Sequence, residues 1–291
     1  MSDLDLAKYL SASRKLDLEG IDFRRAADFP VSREEIRVLT YMMDIETHTV
    51  VYLRDLLASQ AAYDPDITAF LSLWVYEELW HGEALAAFLR AVGERHAPAR
   101  ITSIRCETDR GGAVARWLKT LAARRLPSFV AVHMAWGAIN ELSTLHGYKR
   151  LIATTRNPVL RELLTRIVKD ERRHYAFYRA KARVLLKDNP QAQRLVRRVL
   201  ARFWAPVGTG VRPQAETDFA VAHLFGDAEG TAVLAAMDDE IEQIDGLAGL
   251  QLLTRARAGA LRRASVPSIE APSPVSSFKN DRRRRARTHA Y

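Results

Sequence analysis

Apolar residues recur at every third or fourth position over four long stretches of the chain, a spacing typical of amphipathic α-helices. The first stretch opens with Ser32 and, three residues later, Glu35, which together form a capping-box pattern. The second opens with Pro65 between two aspartates, and proline is favoured in the first turn of a helix. At 1.5 Å per residue, each predicted helix is about 40 Å long. The four predicted helices cover about residues 32–59, 64–93, 127–157 and 158–189.

Shorter helical segments are predicted after Pro190, at residues 191–204, 213–225 and 231–262, the last interrupted near Gly246. The sequence WAPVGTGVRP between the first two predicts a loop. Short alternating runs rich in Val, Ile and Thr, the usual signal of strands, are scarce. Serine and proline dominate from Ser265 onward, which is typical of a flexible linker. The pattern therefore predicts one all-α domain over residues 1–263, followed by a disordered Ser/Pro linker and basic tail over residues 264–291.

The net charge of the 291 residues is +9, and it is unevenly distributed. Between Ser276 and Tyr291, six Lys or Arg residues and one Asp contribute +5, which leaves +4 for the other 275 residues. A terminal basic block is most often a solvated tail, so contact with an acidic partner is the alternative and nucleic-acid binding is not expected. A single cysteine, Cys106, excludes an intramolecular disulfide and a cysteine-based zinc site. No apolar run is long enough to span a membrane and the first residues lack an apolar block, so we expect a cytoplasmic protein.

Each of the four long predicted helices carries a glutamate among the apolar residues of one face. On the first helix, Glu46 lies between Met43 and Val50 at helical spacing. The second and fourth helices also carry a histidine three residues after the glutamate, and residues i and i+3 are neighbours on a helix. A buried carboxylate without a partner costs several kcal/mol, so four of them require a shared compensation. The six candidate metal ligands are Glu46, Glu78, His81, Glu141, Glu171 and His174.

Two divalent cations would balance the charge of the four carboxylates. Carboxylate and imidazole ligands suit iron or manganese, and six side chains leave open positions on two metals for oxygen chemistry. The alternative is buried ion pairs with Lys or Arg, but the four apolar faces carry no basic residue at matching positions. Ferritin-like di-iron proteins use the same ligand arrangement, with Glu from two helices and Glu-x-x-His from two others. We therefore expect a ferritin-like four-helix bundle with additional C-terminal helices and two iron ions, with manganese as the alternative metal.

Further polar residues lie next to these ligands in the sequence. Asp170 and Glu77 each directly precede a candidate ligand. A metal-bound histidine usually donates its other N–H to a carboxylate, so we expect Asp170 to orient His81 across the bundle; the alternative is that Asp170 and Glu77 are solvated. Thr144 lies one turn after the ligand Glu141 and is predicted to point at the same centre. Its hydroxyl would bind either an oxygen species or a carbonyl of its own helix.

Four segments around these residues resemble the soluble acyl-[acyl-carrier-protein] desaturases. EELWHGEAL at residues 77–85 is similar to the EExxHG block of that family, and DERRH at 170–174 is similar to its DExRH block. NELST at 140–144 resembles the third-helix element, and DIETHTVVY at 44–52 resembles the first-helix element. The resemblance covers about residues 20–260. The chain is short for the family, lacks the tryptophan that plant members have ahead of the first long helix, and has an Arg-rich tail that is not a family feature.

The resemblance implies an activity in which a ferredoxin-type donor reduces two irons, O2 is activated, and two hydrogens leave adjacent carbons of a saturated acyl chain. The chain would be carried on acyl carrier protein, and the enzyme would be a homodimer. By position, the resemblance implies the same six metal ligands. It also implies that Thr144 assists oxygen activation and that Asp170 is the acid that supports a metal ligand. The alternatives are another di-iron oxygenase, such as an N-oxygenase or hydroxylase, and a ferritin-like iron-storage or ferroxidase protein. The helices predicted after Pro190 disfavour the storage alternative.

Overall fold

The structure is a computed structural model that describes residues 6–96, 99–110 and 128–265, with the backbone alone for residues 107–110. These described residues form α-helices and short 3-10 turns, and the only bridge pairing among them joins Thr209 to Arg212. The prediction of an all-α chain is therefore confirmed. None of the helices in the described ranges is long and apolar enough to cross a bilayer. The α-helices in chain order are α1 (Leu6–Ala12), α2 (Arg33–Leu57), α3 (Pro65–Ala91), α4 (Arg100–Arg110), α5 (Phe129–Thr154), α6 (Pro158–Leu186), α7 (Pro190–Phe203), α8 (Gln214–Phe225), α9 (Ala228–Glu242) and α10 (Leu252–Ala264).

Local capping determines where the long helices begin. The Ser32 hydroxyl accepts from the Glu35 amide at 3.0 Å, and the Glu35 carboxylate accepts from the Ser32 amide at 2.9 Å, so the predicted capping box is present at the start of α2. The side chains of Asp64 and Asn157 cap α3 and α6 by accepting from two backbone amides each, and each is followed by a proline at the first helical position. The predicted start of the third helix at Pro127 lies outside the described residues.

The long helices pack in pairs, α2 against α3 and α5 against α6, and α3 also contacts α6. Large aromatic side chains fill the space between α3 and α6. Phe70 and Phe177 stack with ring centroids 3.8 Å apart, and Tyr178 meets Phe70 edge-on at 5.0 Å. All three side chains are fully buried. Burial of each is worth about 1.5–3 kcal/mol, so this aromatic layer fixes the distance between the two helices that carry Glu-x-x-His.

The prediction that Val50 lies on the buried face of α2 is wrong. Val50 is 41% exposed, whereas Thr49 and Tyr52 face the interior. A step of four residues from Glu46 turns about 400°, and a step of three turns about 300°, so either neighbour can continue an apolar face. Thr49 points inward and lines a cavity that is described below.

Two helices outside the four long stretches were not predicted. Helix α1 packs on α3 and buries Tyr9, and α4 packs on α2. Helices α7 to α10 correspond to the predicted C-terminal segments, and they pack mainly on α2, α5 and one another. The turn between α9 and α10 includes Gly246 at a φ of 86°, a conformation that favours glycine. The predicted disorder of residues 264–291 falls outside the described residues from residue 266 onward.

Candidate metal centre

The four long helices bring all six candidate ligands to one buried centre. They form two overlapping groups, and within each group one ligand atom from every residue lies within 4.8 Å of the others. Two glutamates, one from α3 and one from α6, belong to both groups and could therefore contribute a ligand to either one. Buried Glu and His side chains here could therefore hold metal ions. The groups are Glu46, Glu78, His81 and Glu171, and Glu78, Glu141, Glu171 and His174.

The close approach of α2 and α3 depends on Gly82, the residue that follows His81. A Cβ atom at this position would lie 2.6 Å from Thr47 Cγ2 and 3.4 Å from Glu46 Cβ. Any larger side chain would push the two helices apart. With glycine present, His81 Nδ1 lies 3.7 Å from Glu46 Oε2. The glycine of the HG block thus has a packing role that positions two ligands of one group.

A carboxylate holds each histidine from the side opposite the centre. His81 Nε2 lies 3.2 Å from Asp170 Oδ2, and His174 Nε2 lies 2.8 Å from Glu77 Oε2. Because a carboxylate only accepts hydrogen bonds, each Nε2 donates to its carboxylate, and each Nδ1 faces the centre, where a metal ion would bind it. Asp170 and Glu77 are both buried, so they are not the solvated residues that the sequence left as an alternative.

Several buried polar atoms of the side chains at the centre have no hydrogen bond. Such atoms show whether the centre fits metal ions, because a bound ion would serve as their partner. The ion pairs that the six residues make within the described structure involve only one another and the two supporting carboxylates, and no Lys or Arg. Buried carboxylates without a partner cost several kcal/mol each, so these unbonded atoms fit a site that could hold a cation. The atoms without a hydrogen bond are Glu46 Oε2, Glu78 Oε1, His81 Nδ1, both carboxylate oxygens of Glu171, and His174 Nδ1.

Mutual repulsion divides the carboxylates into protonated and ionised groups when no metal is bound. Burial and the neighbouring carboxylates raise the pKa of Glu78 well above its ordinary value. Burial and Glu171 likewise raise the pKa of Glu141 to about 8, although His174, whose Nδ1 lies 3.6 Å from Glu141 Oε2, opposes the rise. For Glu171 burial is outweighed by the two histidines, whose Nδ1 atoms lie 3.2 Å and 3.8 Å from its oxygens, and they lower its pKa to about 2. The metal-free centre therefore retains protons that metal ions would displace.

The histidines balance the remaining negative charge. Burial alone would lower the pKa of His81, but the carboxylates around it raise the pKa well above the ordinary value. The pKa of His174 is raised for the same reason, with Tyr9 contributing. Histidine cations surrounded by carboxylates are the metal-free counterpart of a centre built for divalent ions.

A cavity of about 480 Å³ lies between α2 and α5 and reaches the centre. Its wall runs from Tyr41 to Tyr52 along α2 and from Trp136 to Gly147 along α5. Each of these spans is about 16 Å long, and the ligands Glu46 and Glu141 lie near their middles. The centre therefore opens into the middle of the cavity. Most of the wall is apolar or aromatic. Thr144, half-buried, lines the cavity one turn from the ligand of α5.

The segment of residues 204–213 covers this cavity. Its first residue, Trp204, donates from Nε1 to Asn140 on α5 at 3.3 Å, and Tyr41 donates from its hydroxyl to the Val207 carbonyl. Arg212 pairs with the buried carboxylate of Asp44 at 3.2 Å. These contacts fix the segment to α2 and α5 at both ends. Just before it, Phe203 is 64% exposed and also lines the cavity, so the cavity opens to the surface there.

Sequence reasoning missed three residues that contact the ligands or their supporting carboxylates. Tyr148 donates to Glu46 Oε1, although the apolar spacing indicates only a core position for it. Arg173 and Tyr9 both donate to Glu77. The position of Arg173 beside His174 is a signal that could have been used, whereas nothing in the sequence near Tyr9 points to the centre.

Comparison with known proteins adds no assignment. The chain matches no protein-family model, no curated protein and no solved structure. The likeness to desaturases consists of the four motifs quoted above, and the functional argument rests on the geometry of the centre and its cavity.

Proposed function

We propose that this protein is a di-iron oxidase of ferritin-like fold that uses O2 to introduce a cis double bond into an acyl chain carried on acyl carrier protein. The observation that supports this most directly is the pair of overlapping ligand groups, sharing two glutamates, that opens into the middle of a long cavity. The same donor set would accept manganese, so the identity of the metal is part of the proposal.

The metal ions, when bound, would supply oxygen activation and the oxidising power to break an unactivated C–H bond, which no side chain can supply. The six ligands would hold the ions, and Asp170 and Glu77 would keep the two imidazoles in the correct tautomer and orientation. Fewer than the full number of coordination positions would be taken by protein, which leaves room for O2. The Thr144 hydroxyl, on the cavity wall next to the centre, would donate a hydrogen bond there.

The shape of the cavity favours an elongated substrate that reacts at an internal position. The wall extends past the centre in both directions along α2 and α5. Its lining also includes Tyr52, Trp74 and Tyr178, and residues of α8 to α10 such as Leu224 and Leu253. A flexible apolar chain held along this wall would present an inner carbon pair to the metals. The covering segment would keep water out and fix the depth of the chain.

The exposed face of α7 suits an acidic carrier protein. Arg194, Arg198 and Arg202 are exposed and lie four residues apart on one stripe, and the helix contains no acidic residue. The stripe ends beside Phe203, where the cavity opens. Because acyl carrier proteins are acidic, charge complementarity would place the tethered chain at the opening. A ferredoxin-type electron donor and a homodimer are also part of the proposal, and both rest on the motif resemblance.

The decisive experiment combines metal analysis with product analysis. Protein loaded anaerobically with Fe²⁺ should contain two metal ions per chain. With a ferredoxin reducing system, O2 and saturated acyl carrier substrates of several lengths, mass spectrometry should find a product lighter by two hydrogens. Glu141→Gln should lose the second metal ion and the activity, whereas Glu34→Gln, which changes an exposed glutamate of α2, should lose neither.

Other outcomes would identify other functions. A product that gains oxygen would indicate a di-iron oxygenase acting on another substrate. Iron accumulation far above two per chain in a large hollow assembly would indicate storage. Wild-type protein that binds no metal pair would overturn the proposal altogether.

A further inference from the structure

One guanidinium group joins the supports of both histidines. Arg173 donates from Nη1 to Asp170 Oδ1 at 2.8 Å and from Nη2 to Glu77 Oε1. The other oxygens of these two carboxylates face His81 and His174. A continuous chain of contacts therefore runs from one histidine to the other around the outside of the centre, with Arg173 at its middle. The planar, forked guanidinium suits this position because it can serve two carboxylates at once.

The two halves of this chain of contacts, which run from Arg173 to His81 and from Arg173 to His174, are not equivalent. Tyr9, from helix α1, donates its hydroxyl to Glu77 Oε2 at 3.0 Å, the same oxygen that accepts from His174. The Tyr9 ring is buried against Phe70, with centroids 5.0 Å apart, so the hydroxyl is held in place. Within the described residues, the side-chain hydrogen bonds of Asp170 go to His81 and Arg173 only.

Additional donors restrict the orientation of a carboxylate. Glu77 is fixed by Tyr9 and Arg173 and also approaches the Arg14 amide at 3.4 Å, so the imidazole it holds has little freedom to rotate. Asp170 has fewer fixed contacts and a small exposed fraction. Residues that support metal ligands in this way typically change metal affinity by about 10–100-fold when altered.

We infer that Arg173 and Tyr9 are positioning residues that make the two metal positions unequal. Arg173 acts on both positions, through Asp170 and Glu77, and Tyr9 acts only on the position that contains His174. This inference rests on the two-metal centre of the proposed function and is independent of the substrate.

The test is anaerobic titration of metal-free, full-length protein with Co²⁺, followed by its visible absorption, for wild type and three variants. Wild type should bind two ions. Tyr9→Phe removes one hydroxyl, and should weaken one binding step about 10–100-fold while leaving the other unchanged. Arg173→Gln should weaken both steps. Arg173→Lys keeps the charge but loses the forked guanidinium that serves two carboxylates. It should therefore restore wild-type affinity in at most one of the two binding steps.

A second readout separates positioning from general destabilisation. In the Co²⁺-loaded protein, each Nε2–H of the two histidines should give its own exchangeable, paramagnetically shifted proton signal. Tyr9→Phe should shift the signal of His174 and not that of His81. Matched controls are Tyr63→Phe, at a tyrosine that is 80% exposed, and Arg172→Gln, at the exposed neighbour of Arg173, and neither should change binding.

The outcomes distinguish this inference from the proposed function. If wild type fails to bind two ions, both are overturned. If wild type binds two ions but Tyr9→Phe weakens both steps equally or neither, the inequality inferred here is overturned and the metal centre stands. If Arg173→Gln affects only one step, its shared role is overturned. Should Arg173→Gln fold poorly by circular dichroism, the Arg173→Lys and Tyr9→Phe titrations decide the outcome.

Discussion

Replacing Glu141 with glutamine should stabilise the metal-free protein. Burial and Glu171 raise the pKa of Glu141 to about 8, from an ordinary value of 4.5, against the opposing effect of His174. The folded metal-free protein therefore keeps a proton that the unfolded chain has already lost. Stability from this group is fully present below pH 4.5 and is lost as the pH rises towards 8. Glutamine cannot ionise, so the variant avoids the loss.

The size of the effect follows from the same shift. Each pH unit between the two pKa values costs about 1.4 kcal/mol, so the contribution of Glu141 to the free energy of unfolding of metal-free wild type should fall by roughly 3 kcal/mol between pH 4.5 and 7. In a chain of this size, 1 kcal/mol changes Tm by about 2–4 °C. At pH 7 the Tm of metal-free Glu141→Gln should therefore exceed that of wild type by roughly 6–12 °C, and near pH 4.5 the two should coincide.

Metal should reverse this order. An ion present at about 1,000 times its Kd stabilises the folded protein by about 4 kcal/mol, and the proposed centre would offer wild type two positions for such ions. The variant lacks one charged ligand, so it should gain less. Calorimetry of both proteins at pH 5, 6 and 7, with and without Mn²⁺, measures all of these quantities, with Glu34→Gln as the surface control. A metal-free variant less stable than wild type at pH 7, or an equal gain from metal in both proteins, would refute the reasoning.

Three further predictions concern protons, packing and docking. Metal loading at pH 6 should release up to four protons per chain, two from histidines and two from glutamates with raised pKa values, and titration calorimetry in buffers of different ionisation enthalpy should count them. Gly137→Ala places a Cβ atom 2.3 Å from the Tyr178 ring, so overpacking should lower stability by about 1–3 kcal/mol in chemical denaturation. Arg198→Glu with Arg202→Glu should raise KM for the acyl carrier substrate at low salt with little change in kcat, whereas Arg156→Glu, at an exposed arginine just after the end of α5, should leave KM unchanged.

The parts of the fold that the sequence predicted are those encoded locally. Capping by Ser32 and Asp64 depends on residues within one turn, so helix starts could be read directly. Helix α1 is only seven residues long, too short for a periodic pattern. Helix α4 is polar and is held to α2 by the pair of Arg100 with Asp44, a contact across 56 residues of chain. Such a contact leaves no periodic signal at either end.

The same distinction applies to the centre. The six ligands could be predicted because each lies on an apolar face at a fixed helical spacing, and a charge there needs an explanation. Tyr9 contacts Glu77 from 68 residues away, and Arg173 contacts it from 96 residues away. An arginine on the polar side of its helix resembles any solvated arginine until the neighbouring helix is in place. The local sequence thus determines which atoms can bind metal, while the tertiary packing determines how they are held.

The cavity is the feature that the sequence was least able to predict, and it is also energetically the most informative. Its aromatic wall residues, such as Trp74 and Tyr178, have the spacing of ordinary core residues. A residue that faces a cavity and one that packs against a neighbour give the same apolar spacing in the sequence. Because the cavity opens beside Phe203 and most of its wall is apolar, a ligand that covers this wall would remove apolar surface from water and stabilise the folded protein. A chain that keeps such a space beside four buried carboxylates is expected to fill it with ligand. A saturated acyl chain that fits should therefore raise Tm even in metal-free protein, and the chain length that raises it most should also be the best substrate.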